Sequence, residues 1–377
     1  MTGPGWAELT LPAALDELPT PALVVDVNRM QPNIDTMARR YADAGIALRP
    51  HVKTSKCWSV AERQLAADAV GFTCSTPAEV AWLQGHGVAD LLWAHEPIGP
   101  RKVEFAVAAA ARGGLTLALD SPEAAAPLAV AAEQAGVVVP FVLEINTGQG
   151  RTGVEPELAL DRAAAMSSHH NLRLRGVLTH EGQLAGYTGD RDGLESAGRA
   201  VGALLVEVAG ELREAGHAID LVSVGSTPGA TSAPFAVGVT EARPGTYVYF
   251  DANQMRLGSC GLDECALTVV ARVVSTQRPE RVIIDAGIKA MSSDALGAVG
   301  SLGLVCDIDG VPLPDVTFFD GNEEHGFVSG AGAAALRVGD LVRIVPNHAC
   351  GTTNMWSAVY AATGALVTER WAIAARY

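Results

Sequence analysis

The chain has 377 residues, 49% of them hydrophobic, which supplies a large core and excludes a disordered chain. Its 42 acidic against 27 basic side chains give a net charge of −15, which argues against nucleic acid or an anionic membrane surface as partner and leaves a small molecule as the expected ligand. The start, Met1-Thr2-Gly3-Pro4-Gly5-Trp6, lacks a basic region before an apolar run, and Cys57, Cys74, Cys260, Cys265, Cys306 and Cys350 form no CxxC pair or secreted disulfide framework, so a soluble cytoplasmic protein with reduced thiols is expected.

The first apolar run, Ala22–Val25, precedes Met30, Ile34, Met37 and Tyr41 at helical spacing, with Gly45 as a C-terminal stop. Runs at Ile46–His51, Val70–Cys74, Leu91–His95, Leu115–Leu119, Val138–Ile145, Leu172–Thr179 and Leu221–Gly225 then alternate with Ala-rich amphipathic segments, the pattern of strand–helix units around a parallel sheet. Thr76-Pro77 and Ser121-Pro122 each set a capping hydroxyl before a proline at the first helical position. Eight strands close a TIM (β/α)8 barrel, expected here over residues 19–248. After Gly245 the alternation stops. Runs at Val269–Ser275, Arg281–Asp285, Val316–Phe318, Val338–Val345 and Ala358–Tyr360 predict a β-rich C-terminal domain over 249–377, with residues 1–18 as a candidate addition.

In a parallel barrel the residues after each strand gather at one rim, where such enzymes hold their active sites. Here they are Asp26, His51 with Lys53, Cys74, His95 with Glu96, Asp120, Asn146 to Arg151, His180 with Glu181, and Gly225-Ser226-Thr227. Lys53 sits where strand gives way to loop, and an amine there can form an imine, although a loop lysine is more often simply solvated. Gly225-Ser226-Thr227-Pro228-Gly229 ends the eighth run in small residues that let backbone amides approach an anion, as barrel phosphate sites do. Arg243, before Pro244-Gly245-Thr246, could donate to a ring nitrogen or a carboxylate, and Arg151 lies between glycines on a flexible loop. His348 and Cys350, two apart on a segment read as extended, would point the same way and could share one metal in an open site; a packed histidine beside a buried cysteine is the structural alternative.

Arg49-Pro50-His51-Val52-Lys53-Thr54, Gly148-Gln149-Gly150-Arg151-Thr152-Gly153, Thr179-His180-Glu181-Gly182, Gly225-Ser226-Thr227-Pro228, Arg243-Pro244-Gly245-Thr246-Tyr247, Ile284-Asp285-Ala286-Gly287, Glu324-His325-Gly326 and Pro346-Asn347-His348-Ala349-Cys350 occur in this order over nearly the whole chain. Together they resemble the D-threonine aldolase and D-serine dehydratase family, metal-activated pyridoxal-phosphate enzymes with an alanine-racemase-like barrel. The resemblance implies that Lys53 carries pyridoxal 5'-phosphate, with Gly225, Ser226, Thr227, Gly245 and Thr246 around its phosphate. It further implies Arg243 at the pyridine nitrogen, Arg151 near the phenolic oxygen, and His51 and Tyr187 among the cofactor contacts. His348 and Cys350 would hold a divalent metal, zinc or manganese, and His325 would line the site from the β-domain. A head-to-tail homodimer is also implied, each active site lying between the barrel of one chain and the β-domain of the other. One departure stands out: where many relatives supply a second histidine, this chain has Gln183, so the role of base passes to His180, Tyr187 or hydroxide on the metal.

The resemblance implies a lyase for D-3-hydroxy-α-amino acids. Retro-aldol cleavage to glycine and an aldehyde is the first expectation, and dehydration to a keto acid and ammonia is the alternative. The broad likeness leans to the aldolase, while the His-x-Cys pair and Gln183 lean to the dehydratase. A racemase would need a second base opposite Lys53, and a non-catalytic pyridoxal-phosphate carrier would leave His348 and Cys350 without a purpose.

Overall fold

The computed structural model describes residues 9–294, 296 and 300–376. The chain divides into two compact units, one made of Met1–Asp35, Thr54–Arg63 and Thr246–Ala374, the other of Thr36–Lys53, Gln64–Gly245 and Ala375–Tyr377.

The second unit is built on eight parallel strands, in the order Ala47–Leu48, Glu241–Ala242, Leu221–Val224, Leu172–Leu178, Val139–Glu144, Leu115–Leu119, Leu91–Trp93 and Phe72–Cys74. The two ends of that order meet through a parallel bridge between His51 and Thr73, with Val70 N–H donating to Leu48 O at 2.9 Å and Thr73 N–H to Pro50 O at 2.8 Å. Leu92, Ala118, Val142 and Leu178 pack together as an interior layer of the kind a small barrel needs. Period-two alternation then puts Glu144, two residues beyond Val142, on the same interior face. The helix starts follow from their caps: Thr76 accepts from Glu79 N–H at 3.2 Å and Ser121 from Ala124 N–H at 3.3 Å, each followed by proline.

The strand count of eight holds, but its membership differs from the expectation at two places. Ala22–Asp26 is not a barrel strand. It pairs antiparallel with Leu267–Arg278 and parallel with Ala358–Thr363, in the sheet of the other unit. A short apolar run reads the same wherever both faces are covered, so periodicity could not choose its sheet. The strand that takes its place, Glu241–Ala242, is two residues long and contains a carboxylate, so it left no apolar run to find.

The first unit holds a ten-stranded, mainly antiparallel sheet, as the β-rich expectation required. Leu267–Arg278 is its longest strand and pairs with Ala22–Asp26, Arg281–Ile284 and Leu341–Pro346. The expected runs recur as Arg281–Ile284, Thr317–Gly321, Leu341–Pro346 and Ala358–Thr363, while Gly303–Cys306, Gly326–Ser329 and Leu366–Ala372 are further strands. Ala13–Ala14 pairs antiparallel with Leu366–Ala372; residues 1–8 of the N-terminal segment lie outside the described residues. No helix among the described residues is long and apolar enough to cross a membrane.

Candidate active site

At the C-terminal ends of the barrel strands lies a cavity of about 280 Å³, lined by Lys53, His51, Arg151, His180, Arg243 and Gly225 together with Glu96 and Glu144. Six of the residues expected at the site are therefore brought to one place. Ser226 and Thr227 follow Gly225 directly, but Tyr187 is not among the lining side chains; it ends the turn Gly182–Tyr187 beside Gly193.

The cationic wall is organised by buried hydrogen bonds. Arg243, 4% exposed, donates to Ser223 Oγ at 2.6 Å and to Thr179 O at 2.7 Å. A Cβ on Gly225 would come within 2.7 Å of the Arg243 Cβ, so only glycine lets the turn pass this side chain. His180 Nδ1–H donates to Gly225 O at 2.5 Å, which leaves Nε2 as an acceptor in the neutral ring. Burial, reinforced by Lys53, Arg151 and Arg243 and opposed by the Gly225 hydrogen bond, pushes this imidazole down to about 3. His51 is likewise driven well below its ordinary value by burial and by Lys53, Arg243, His180 and Arg151. Its Nε2 lies 3.3 Å from Ser75 Oγ, and its Nδ1 is buried with no hydrogen-bond partner. Ser226 Oγ accepts from Gly229 N–H at 3.0 Å.

The lining also holds acidic groups: Glu96 is among the strand-end residues read from the sequence, whereas Glu144 was not anticipated. Glu144 accepts from the Thr152 hydroxyl at 3.1 Å, and Arg151 Nη2 stands 3.6 Å from the same oxygen. Burial of Glu96, helped by the nearby charges of Glu144 and Asp120, pushes its carboxyl up to about 7. The loop carrying Arg151 turns on Gly153, whose φ of +99° and close approach to Asn146 N, 2.8 Å from a hypothetical Cβ, exclude other residues. A glutamate ending an otherwise apolar strand was the signal available in the sequence.

Gln183 does not offer a base. Its amide Nε2 donates to Thr147 O at 2.8 Å and packs against Gly148, so it ties two loops together.

In the other unit, His348 and Cys350 do converge, though not on an extended segment. The strand Leu341–Pro346 ends earlier; His348 is the N-cap of the helix Ala349–Asn354 and Cys350 lies in its first turn. The segment is anchored by Asn347, fully buried, which donates to Ser301 O at 2.7 Å and accepts from Arg256 at 3.0 Å. Asp251 accepts from Ala349 N–H at 2.9 Å. His348 Nδ1 meets Asp294 Oδ2 at 2.6 Å, with Cys350 close enough to bear on the charge of its ring. Burial opposes charging this ring, but Cys350, Asp251 and Asp294 outweigh it and hold it up to about 10. Cys350 Sγ also lies 3.1 Å from Thr54 Oγ1 and 3.6 Å from Thr246 Oγ1. No group of three or more His, Cys, Asp or Glu among the described residues is arranged to hold a metal. His325 stands on an exposed turn between Thr317–Gly321 and Gly326–Ser329.

Comparison with known proteins agrees with this layout. Residues 25–253 match the family described as "Alanine racemase, N-terminal domain", and 266–362 match a serine dehydratase domain. The chain is 37% identical to D-threo-3-hydroxyaspartate dehydratase of Delftia sp., over 94% of this chain and 97% of that one. It is 30% identical to D-threonine aldolase of Arthrobacter sp., over 96% and 94%. A mutant of a D-threo-3-hydroxyaspartate dehydratase solved in the metal-free form superposes with a TM-score of 0.89 at 36% identity, covering 97% of this chain and 99% of that one. The chain belongs to the family of D-hydroxy-amino-acid dehydratases and aldolases with an alanine-racemase-like barrel.

Proposed function

We propose that the chain is a pyridoxal-phosphate- and divalent-metal-dependent lyase of D-3-hydroxy-α-amino acids whose main reaction is dehydration to a keto acid and ammonia. This reverses the order expected from the motifs, which put retro-aldol cleavage first. The observation that carries the reversal is Gln183. Its amide is committed to Thr147 O, so the loop that would supply a base for the substrate hydroxyl supplies a structural tie instead.

The residues fit the cofactor. A lysine, two neutral imidazoles and two guanidinium groups line one small cavity, the buried His51 Nδ1 awaits a partner, and Gly225 lines the same cavity where a Cβ would collide with Arg243. The pair His348 and Cys350 fits a cation as an open site of two protein donors. Asp294 fixes Nδ1, which leaves Nε2 for a ligand, and the raised basicity of the ring beside Cys350, Asp251 and Asp294 marks a place where positive charge is favoured. Thiolate with imidazole favours zinc over manganese. When bound, pyridoxal phosphate would draw electrons from a broken Cα bond and the metal would polarise the β-hydroxyl.

The chain's own groups divide the remaining work. Lys53 Nζ lines the cavity and, with cofactor and substrate bound, would be the base for the Cα proton. His180 Nε2, neutral and unprotonated, is an acceptor held rigidly by the Gly225 hydrogen bond. Arg243 is locked by Ser223 and Thr179, so its position does not depend on ligand. A homodimer in the cytoplasm is part of the same proposal, and light scattering should read twice the 39.0 kDa chain mass.

The test is product analysis on D-serine, D-threonine and D-3-hydroxyaspartate carrying deuterium at Cα. Dehydration breaks that bond, so keto acid and ammonia should appear with a primary isotope effect. Glycine and an aldehyde, formed without one, would return retro-aldol cleavage to first place. That second reading keeps support from the free Nε2 of His180, and Gln183→His should then raise aldehyde release selectively.

A further inference from the structure

We propose that Glu241 is a positioning residue of the cavity: it takes the proton of the Ser223 hydroxyl, leaves that oxygen as a fixed acceptor, and so holds the Arg243 guanidinium in the cavity wall where a ligand ring would meet it. What this does for chemistry rests on the cofactor reading, with the ring nitrogen of pyridoxal phosphate against Arg243.

Three neighbouring strands build the arrangement. Glu241 is the register partner of Ser223 on one side and of Ala47 on the other, in parallel pairing. Alternation of side chains then puts Arg243 on the face of Glu241, Gly225 on that of Ser223 and Arg49 on that of Ala47. Arg49, Glu241, Ser223 and Arg243 so form one buried row. Arg49 Nε donates to Glu241 Oε2 at 2.6 Å, Ser223 Oγ donates to Glu241 Oε1 at 2.7 Å, and Arg243 Nη1 donates to Ser223 Oγ at 2.6 Å. The second anchor of Arg243, Thr179 O at 2.7 Å, is set by the backbone, since Thr179 N–H donates to Ser223 O at 3.0 Å. Gly225 leaves the space that the guanidinium fills, because a Cβ there would lie 3.1 Å from Arg243 Cζ.

Only one group in this row has a choice. A guanidinium donates and an ionised carboxylate accepts, whereas a serine hydroxyl does either. With Glu241 on one side and Arg243 on the other, a single orientation satisfies both: the proton goes to the carboxylate and a lone pair faces Nη1. Without Glu241 the hydroxyl is free to turn, and Nη1 loses its fixed acceptor. Arg243 lines the cavity and does not give up its proton, so a ring nitrogen set against it stays an unprotonated acceptor. If the guanidinium turns away, that nitrogen is left to water and can take a proton. Glu241 thus acts on the ring through Ser223 and Arg243, while the same carboxylate joins the barrel seam through Arg49.

The experiment reads the nitrogen-15 resonance of ring-labelled pyridoxal phosphate bound to wild type, Ser223→Ala, Glu241→Gln, Arg49→Met/Glu241→Leu and Asp90→Asn. Wild type should show an unprotonated pyridine. Asp90→Asn should match it, because that change loosens the seam at Arg49 and leaves the row from Glu241 to Arg243 intact. Ser223→Ala removes the acceptor of Nη1, and in Glu241→Gln the amide oxygen stays with Arg49 while its N–H faces Ser223. Both should move the resonance toward pyridinium and raise the Kd for pyridoxal phosphate about tenfold. Arg49→Met/Glu241→Leu strands no buried charge, so it serves even if Glu241→Gln does not fold, and it should move the resonance the same way. A wild-type resonance in the Glu241 variants, or an equal shift in Asp90→Asn, would reduce Glu241 to a seam residue. If wild type binds no pyridoxal phosphate or itself shows pyridinium, the cofactor reading of Arg243 fails, and the role of Glu241 with it.

Discussion

Arg49 closes the barrel, and removing it should be among the most costly single changes in this unit. It leaves Ala47–Leu48, the shortest strand beside Glu241–Ala242, and its Nε and Nη2 reach Glu241 at 2.6 Å and Asp90 at 2.9 Å. Gly71 faces it across the seam, where a Cβ would meet Asp90 O at 1.9 Å, so no larger residue could let the chain pass. Burial disfavours the charge on Arg49, but Glu241 and Asp90 more than compensate, and the guanidinium is held more basic than usual. The two partners are unequal: the Glu241 side chain is 1% exposed and that of Asp90 is 42%. Arg49→Met takes the direct ion-pair partner from a buried carboxylate, leaving it the Ser223 hydroxyl 2.7 Å away and the nearby charge of Arg243, and should cost about 3–5 kcal/mol. Asp90→Asn loses a solvent-screened pair and should cost about 0–1 kcal/mol. In Arg49→Met/Glu241→Gln most of the loss should return, because no unpaired charge stays buried. Urea denaturation of the three variants, monitored by tryptophan fluorescence, measures these differences. The reasoning fails if Arg49→Met costs no more than Asp90→Asn, or if the double variant is as unstable as the single one. Ser223 also accepts from Arg243, so Arg49→Met should weaken pyridoxal-phosphate binding as well.

The His348→Ala/Cys350→Ala double variant should lose its equivalent of bound zinc in metal analysis while keeping the visible absorbance of bound cofactor; retention of zinc would place the metal elsewhere. Acid should destabilise the barrel unit through His180. Its native ring stays neutral down to about 3, whereas the unfolded chain binds a proton below about 6.5, so stability is full above that value and falls as pH drops toward 3, by about 2 kcal/mol at pH 5. His180→Gln should remove that slope from urea midpoints measured between pH 7 and 5, and an unchanged slope would assign it to His51 or to other groups.

Much of the cavity was legible because its chemistry sits in compact motifs. Lys53, Arg151, His180 and Gly225 each follow a strand that periodicity could find, and parallel barrels collect such positions at one rim, whereas Arg243 was legible only through the motif Arg243-Pro244-Gly245-Thr246. What stayed hidden depends on pairing. Glu241–Ala242 is a strand only because Leu221–Val224 and Ala47–Leu48 flank it, and Glu144 looked like one residue within an apolar run until Glu96, Thr152 and Arg151 came together around it. Ala22–Asp26 carried a genuine strand signal, but nothing in five residues states which sheet will cover both faces. The convergence of His348 and Cys350 was anticipated with the wrong backbone: an N-cap and a first helical turn bring the two side chains together as an extended segment would have. The support behind them, Asp251, Asp294 and Asn347, comes from distant parts of the chain and has no local pattern.

The central claim is that Lys53 carries the cofactor, and borohydride reduction followed by peptide mapping tests it most directly. Lys53 lines the cavity. Lys56, three residues on, is 4% exposed and belongs to the other unit, and Lys289 is held by Glu323 and Glu324 at 3.5 and 3.2 Å. Reduction of the yellow holoprotein should fix pyridoxal phosphate to the peptide containing Lys53 and, in Lys53→Ala, to none. Label on Lys56 or Lys289, or undiminished label in Lys53→Ala, would contradict the account.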